Sequence, residues 1–173
     1  MSEAVSMDVT LPLGIDLAPA APSVDAARLD RAVLENGRLQ AIVDALPDAR
    51  YSAALALGAP AGLARRLKIR CANVQQLSAV ATAGVWPESA EGFDLVVISD
   101  LLVGADKSEM AFLTRRLSSV LKPGGHVVLA HWLDDRGADE AAAAFVQSAG
   151  ARYAPVSRQR TPHYRLDVLE FDA

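Results

Sequence analysis

Residues 93–99 read FDLVVIS and residues 126–132 read HVVLAHW. Both are short, nearly continuous apolar runs rich in β-branched side chains, the pattern of strands buried on both faces of a parallel sheet. Parallel neighbours cannot be joined by a tight turn; they need a crossover, most often a helix. The segment between the two runs supplies one. Asp106 and Glu109 have capping-box spacing, Met110, Leu113, Leu117 and Leu121 recur at helical intervals, and KPGG (122–125) ends the helix. This unit confines the chain to an α/β fold with right-handed crossovers.

The remaining segments extend the same alternation. From Ser23 to Leu46, the residues Leu29, Val33, Leu39, Ile42, Val43 and Leu46 recur at helical spacing. Ser23 or Asp25 can cap this helix, Pro47 stops it, and Gly37 marks a point where it could break. Ala53–Leu57 and Val74–Val80 read as further strands, and residues 138–149 as an alanine-rich helix closed by Gly150. Two last strands, near 151–157 and 164–171, flank RQRTPH with no helix between them, so an antiparallel hairpin is expected at one end. Residues 1–22, with Pro12, Gly14, Pro19 and Pro22, read as a flexible arm, and 23–173 as a single domain.

Composition excludes several function classes. A net charge of −4 gives no global attraction to nucleic acid or to an anionic membrane. No apolar run is long enough for a bilayer span. The first basic residue is Arg28, which argues against a secretory signal, so a cytoplasmic location is expected. Cys71 is the only cysteine, so no internal disulfide can form, and it reads as a small buried hydrophobe rather than a reactive thiol. No cluster has metal-site spacing, and neither a nucleophile elbow nor a P-loop is present.

The stretch ALALGAPAG (54–62) has the outline of a strand running into a ligand-binding turn. With ALPDARYSAALALG (45–58), VWPESAEGFDLVVISDLL (85–102), FLTRRLSSVLKPGGHVVLAHW (112–132) and HYRLDVLEF (163–171) in this order, the chain resembles class I S-adenosylmethionine (SAM)-dependent methyltransferases from about Leu29 to Phe171. Within them it is most similar to the nodulation-protein-S-like group. The resemblance implies a doubly wound, Rossmann-like, mostly parallel sheet of seven strands. The cofactor would lie at the carboxyl ends of the central strands, as is general for open α/β sheets.

Three departures bear on the cofactor. The family's first strand carries an acidic residue and then Gly-x-Gly-x-Gly. Gly58 and Gly62 match the first and third glycines, whereas Pro60 stands at the second and Ala56 at the acid. Proline lacks an N–H and fixes φ, which removes a donor where a ligand would approach closely. Between Asp48 and Glu88 there is no Asp or Glu, where the chain's 21 acids in 173 residues predict roughly five. A ribose-binding acid about 20 residues past the glycine turn is therefore missing. Finally, LARRLKIRCANVQQLSAV passes straight from the turn to what resembles the family's third strand. The second strand and its helix, which would wall the adenine pocket, are absent.

Some residues could still carry chemistry. Asp100 ends the FDLVVIS strand and reads either as a ligand-side acid or as a turn cap. His131, at the carboxyl end of the next strand, reads as a general base or a satisfied semi-buried histidine. Trp132 reads as packing, and His126, at the far end of that strand, as structural. Arg165 and Asp167 share a strand face and read as a surface pair. The basic run Arg65, Arg66, Lys68 and Arg70 reads as a solvated helix face or an acidic-partner patch. Two functions follow. In the first, SAM binding is lost, no cofactor is expected, and the protein acts as a scaffold, regulator or partner subunit through self-association or a related chain. In the second, it is an active SAM-dependent methyltransferase for a small-molecule or sugar-like acceptor. Its site would then be altered or completed by a partner, with His131 or Asp100 as base.

Overall fold

The computed structural model of the chain describes residues 24–77, 86, 91–133 and 137–172. The arm at 1–22 lies outside them. Helix α1 (Val24–Asp44) leads into β1 (Tyr51–Leu57), the short α2 (Ala61–Leu67) and β2 (Cys71–Leu77). Then come β3 (Phe93–Ser99), α3 (Lys107–Val120), β4 (Leu121–Trp132), α4 (Ala138–Ala149), β5 (Tyr153–Arg160) and β6 (Tyr164–Phe171). Among the described residues the strands form one six-stranded sheet in the order β2-β1-β3-β4-β6-β5. The first four are mutually parallel, and β6 runs antiparallel to both β4 and β5. No described helix is long and apolar enough to cross a membrane.

The FDLVVIS and HVVLAHW runs are the sheet's centre. Leu95, Val96, Val97, Ile98, Val127, Val128, Leu129 and Ala130 are fully buried, because both faces are covered. One face packs beneath α3 and α4 with Phe93, Leu117 and Phe145. The other packs beneath α1 and α2 with Ile42, Leu63 and Leu67. The Asp106–Glu109 capping box starts α3 as the spacing predicts. β4 begins five residues earlier than expected, at Leu121, and a register shift against β3 between Phe93 and Leu95 accommodates the PGG segment.

The seventh strand of the resemblance has no counterpart among the described residues. β2, the segment read as the family's third strand, pairs directly with β1 and lies at the sheet edge. The crossover between β1 and β2 is only α2, seven residues long. Cys71, at the start of β2, is buried, and burial pushes its thiol up to about 11.

Helix α1 differs from its expected form in two ways. It does not break at Gly37, which is exposed with open space around it. Leu29 and Val33, expected on the apolar face, are 67% and 63% exposed. The buried stripe Leu39, Ile42, Val43 and Leu46 covers the sheet. One or two turns earlier the same side of the helix presents Arg38, Glu35, Arg31 and Arg28, because there it has passed the end of the strands and faces a cleft.

At the opposite, amino-terminal end of the parallel strands, Asp94 of β3 holds the start of β1. Its carboxylate accepts from the Ser52 N–H (2.7 Å), the Ser52 hydroxyl (2.6 Å) and the Ala53 N–H (2.9 Å). Burial pushes the Asp94 carboxyl upward, but these hydrogen bonds to its charged form outweigh burial and leave it below its ordinary value. A depressed folded-state value means that the stabilisation is present above the unfolded pKa, about 3.9, and is lost as pH falls through the folded one. Asp94→Ala is expected to cost about 1–2 kcal/mol at neutral pH. In denaturant titrations the gap between variant and parent should close below about pH 4.

Candidate functional site

The carboxyl ends of β1, β3 and β4 open beneath α1 into a cleft of about 640 Å³, lined by Arg28, Arg31, Glu35, Arg38, Gly58, Pro60, Asp100 and Trp132 among others. Asp100, just after β3, has φ +55°, the only positive φ outside glycine among the described residues. Asp tolerates this region better than most side chains. Its N–H donates to the Ala130 carbonyl (2.9 Å), which turns the chain tightly against β4. Its carboxylate accepts from the Trp132 N–H (3.0 Å) and twice from Arg38 Nη1 (2.9 and 2.7 Å).

Arg38 is 1% exposed. A guanidinium cannot shed its charge, so its burial requires carboxylate partners. Asp100 supplies one, and Glu35, one turn earlier on α1, supplies the other at 3.2–3.3 Å. The Arg38 and Arg31 guanidiniums also lie over the Trp132 ring, at 4.4 and 3.9 Å from its centroid. Trp132 is therefore both packing and a platform for cations. The sequence reading missed these arginines. Their signal was present: charges at 28, 31, 35 and 38 continue the helical face of Ile42 and Leu46, where an unbroken core would have apolar residues.

The other expected site residues separate into different places. His131 is fully buried and does not line the cleft, and neither ring nitrogen has a hydrogen-bond partner among the described residues. Burial, the largest influence, holds its pKa below the ordinary histidine value, although Asp100 and Asp167 oppose it. Across from it on β6 sits Arg165. The Arg165–Asp167 pair forms (2.6 Å) but is buried rather than on the surface. Arg158 on β5 and Asp139 on α4 complete its charges. His126 sits toward the far end of the strands from the cleft, edge-on to Tyr51 and 3.5 Å from Asp48.

The glycine turn is the most informative local structure. Gly58 has φ +63°, and a Cβ there would lie 2.3 Å from Leu101 Cγ and 2.5 Å from the Ser99 carbonyl oxygen. Gly62, in α2, would place a Cβ 3.0 Å from Leu39 of α1. Pro60 precedes α2 with φ −62° and no side-chain cap. Ala56 is fully buried. At the end of β2, the Gln76 side-chain amide donates to the Ala59 carbonyl (2.7 Å) inside the turn. Among the described residues, no group of three His, Cys, Asp or Glu side chains could hold a metal ion.

No protein-family profile matches the chain, and no curated protein matches it in sequence. Solved structures do match. The N-methyltransferase NodS from Bradyrhizobium japonicum WM9, in complex with S-adenosyl-L-homocysteine, is similar at a TM-score of 0.66 and 18% identity, covering 87% of this chain and 93% of that one. Human N-acetylserotonin methyltransferase in complex with SAM gives 0.59 and 16%, covering 86% and 55%. The Thermus thermophilus 16S rRNA methyltransferase RsmC, in complex with AdoMet and guanosine, gives 0.53 and 20%, covering 79% and 38%. The chain thus has the fold of the class I SAM-dependent methyltransferases, with six described strands and a C-terminal antiparallel hairpin.

Proposed function

We propose that this chain is a methyltransferase-like protein that does not hold SAM in the manner of its fold. It acts instead by binding, as a non-catalytic scaffold, regulator or partner subunit in the cytoplasm. The observation that carries this reading is the filled glycine turn. The space that Gly58 leaves open is taken by Leu101 and the Ser99 carbonyl, and that of Gly62 by Leu39. Both glycines are required by packing of the protein on itself, although Gly58 also lines the cleft, so their presence is no sign of a cofactor, and the misfit rests on the side chains around them. Ala56 offers no carboxylate, and Gln76 is spent on the turn. Each charge-assisted hydrogen bond lost is worth roughly 1.5–3 kcal/mol, and every 1.4 kcal/mol is tenfold in affinity.

The Asp100 carboxylate is committed to Arg38 and His131 is enclosed, so neither stands ready as a base. Leu29 and Val33, one turn apart and exposed on α1, favour a protein partner at this face, either a second copy or a related chain. The alternative, an active enzyme for a small-molecule or sugar-like acceptor with a partner-completed site, is favoured by one feature. The cleft still opens where this fold places ligands.

Calorimetric titration with SAM and S-adenosylhomocysteine separates the two. No binding tighter than about 100 μM, or −5.5 kcal/mol, is expected; tighter binding refutes the proposal. Gly58→Ala is expected to destabilise by about 3 kcal/mol, from αL strain plus overpacking. Adding Leu101→Ala should recover only part of this, since the Ser99 carbonyl remains. Full recovery in thermal melts would mean that the turn has room. Asp100→Asn should cost about 2 kcal/mol by leaving Arg38 short of one charge partner. Self-association should appear in light scattering and weaken in Leu29→Glu/Val33→Glu, whereas a monomer at high concentration removes the second-copy reading.

A further inference from the structure

Charge is unevenly spread along this chain. Residues 49–87 hold Arg50, Arg65, Arg66, Lys68 and Arg70 and no acid, so the other twelve Lys and Arg share the rest of the sequence with all 21 acids. The fold gathers these five cations at one corner, where α2 turns into β2. The Tyr51 N–H donates to the Arg70 carbonyl (2.8 Å), and Tyr51 stands in register with Cys71, which sets Arg50 beside the turn that carries Lys68 and Ile69. Arg66 and Arg70 turn toward α1 and meet neutral oxygens there, the side chains of Gln40 and Asn36 and the Val43 carbonyl. Arg50, Arg65 and Lys68 are exposed. Among the described residues no carboxylate pairs with any of the five.

Two further features bear on what this corner receives. Arg50 and Lys68 border an open recess of about 760 Å³ that also includes Ser52, Cys71 and Asp94. The Asp94 carboxylate is already engaged by Ser52 and Ala53, so the groups left to meet a visitor are the cations. Ile69, between Lys68 and Arg70, is 71% exposed, the highest value among the large apolar side chains described. An apolar side chain among cations that no carboxylate neutralises has the make-up of an interface, an apolar contact within a charged rim.

The occupant these features favour is an acidic segment of a protein. A nucleic acid would carry a row of phosphates past the corner onto a surface that holds the chain's excess of acids. No exposed aromatic side chain stands here among the described residues to stack its bases. An anionic membrane would meet the same acidic surface. Two copies meeting corner to corner would set like charge against like charge.

We infer that the α2–β2 corner is a docking surface for a short acidic segment of another protein, with its carboxylates on Arg50, Arg65 and Lys68 and an apolar side chain against Ile69. This rests on the reading that the chain works by binding, and it adds the chemistry of the partner. The corner lies at the amino-terminal ends of β1 and β2, whereas the cleft lies at the carboxyl ends of β1, β3 and β4, so both can be occupied at once.

Fluorescence anisotropy on the full-length chain, with a labelled peptide of a Leu-Leu pair flanked by glutamates, tests this. Saturable binding is expected, weakening by about tenfold or more as salt rises from about 50 to 500 mM. Amide NMR shifts should fall on residues 50–52 and 65–72. Arg50→Glu/Lys68→Glu should lower affinity by about tenfold or more, and Ile69→Ser severalfold, both with parental thermal melts; Arg50→Ala/Lys68→Ala takes the place of the reversal if that disturbs folding. Lys107→Glu/Arg115→Glu, an equal change of charge at exposed sites on α3 across the sheet, should leave binding unchanged. The inference is overturned if the peptide does not saturate, if its glutamine counterpart binds as well, or if the α3 variant weakens binding equally. It is also overturned if oligouridylate or phosphatidylserine vesicles bind this corner more tightly than the peptide. Titration with SAM keeps the two readings apart. Tight SAM binding beside peptide binding removes the non-catalytic reading and leaves the docking surface, whereas failure of the peptide alone removes only the surface.

Discussion

The Asp100 carboxylate accepts from Arg38 on α1 and from the Trp132 N–H at the end of β4, while the Asp100 N–H donates to the Ala130 carbonyl. One residue after β3 thus ties two central strands to the helix that roofs the cleft. Arg38 can be buried only because Asp100 and Glu35 balance it. Its guanidinium in turn lies over Trp132. Within the cleft, Arg38, Glu35 and Asp100 satisfy one another, which commits these three charges to the protein itself.

Most of the fold was legible because the central strands are buried on both faces, and a run such as FDLVVIS has few other uses. The capping box of α3 and the lack of a helix between β5 and β6 were equally plain. Helix α1 was misread for a physical reason. Periodicity assumes that a helix has one core along its whole length, but α1 outruns the sheet. Beyond the strand ends the side facing inward holds arginines, and Leu29 and Val33 fall outside. The site was legible only in part. Ala56, Pro60 and the acid-free window marked departures from the pattern of the resemblance, but the partners of Gly58 and Gly62 are long-range contacts that spacing cannot reveal. His131 was misplaced because the reading fixed its height on the strand and not its side of the sheet.

Gly58 is held in place by packing alone. Its positive φ and close contact with Ser99 require glycine whether or not a ligand is present. A glycine kept by packing cannot serve as a sign of binding.

Cys71 gives the molecule an internal clock. It is the chain's single thiol, buried where β2 starts, with a pKa near 11 because of that burial. A thiol reagent attacks thiolate, which is scarce in the closed form at neutral pH. Modification must then pass through moments when the start of β2 parts from β1 and water reaches the sulfur. The rate of a single alkylation event reports how often this side of the sheet breathes, with no label added and no other cysteine to confuse the signal.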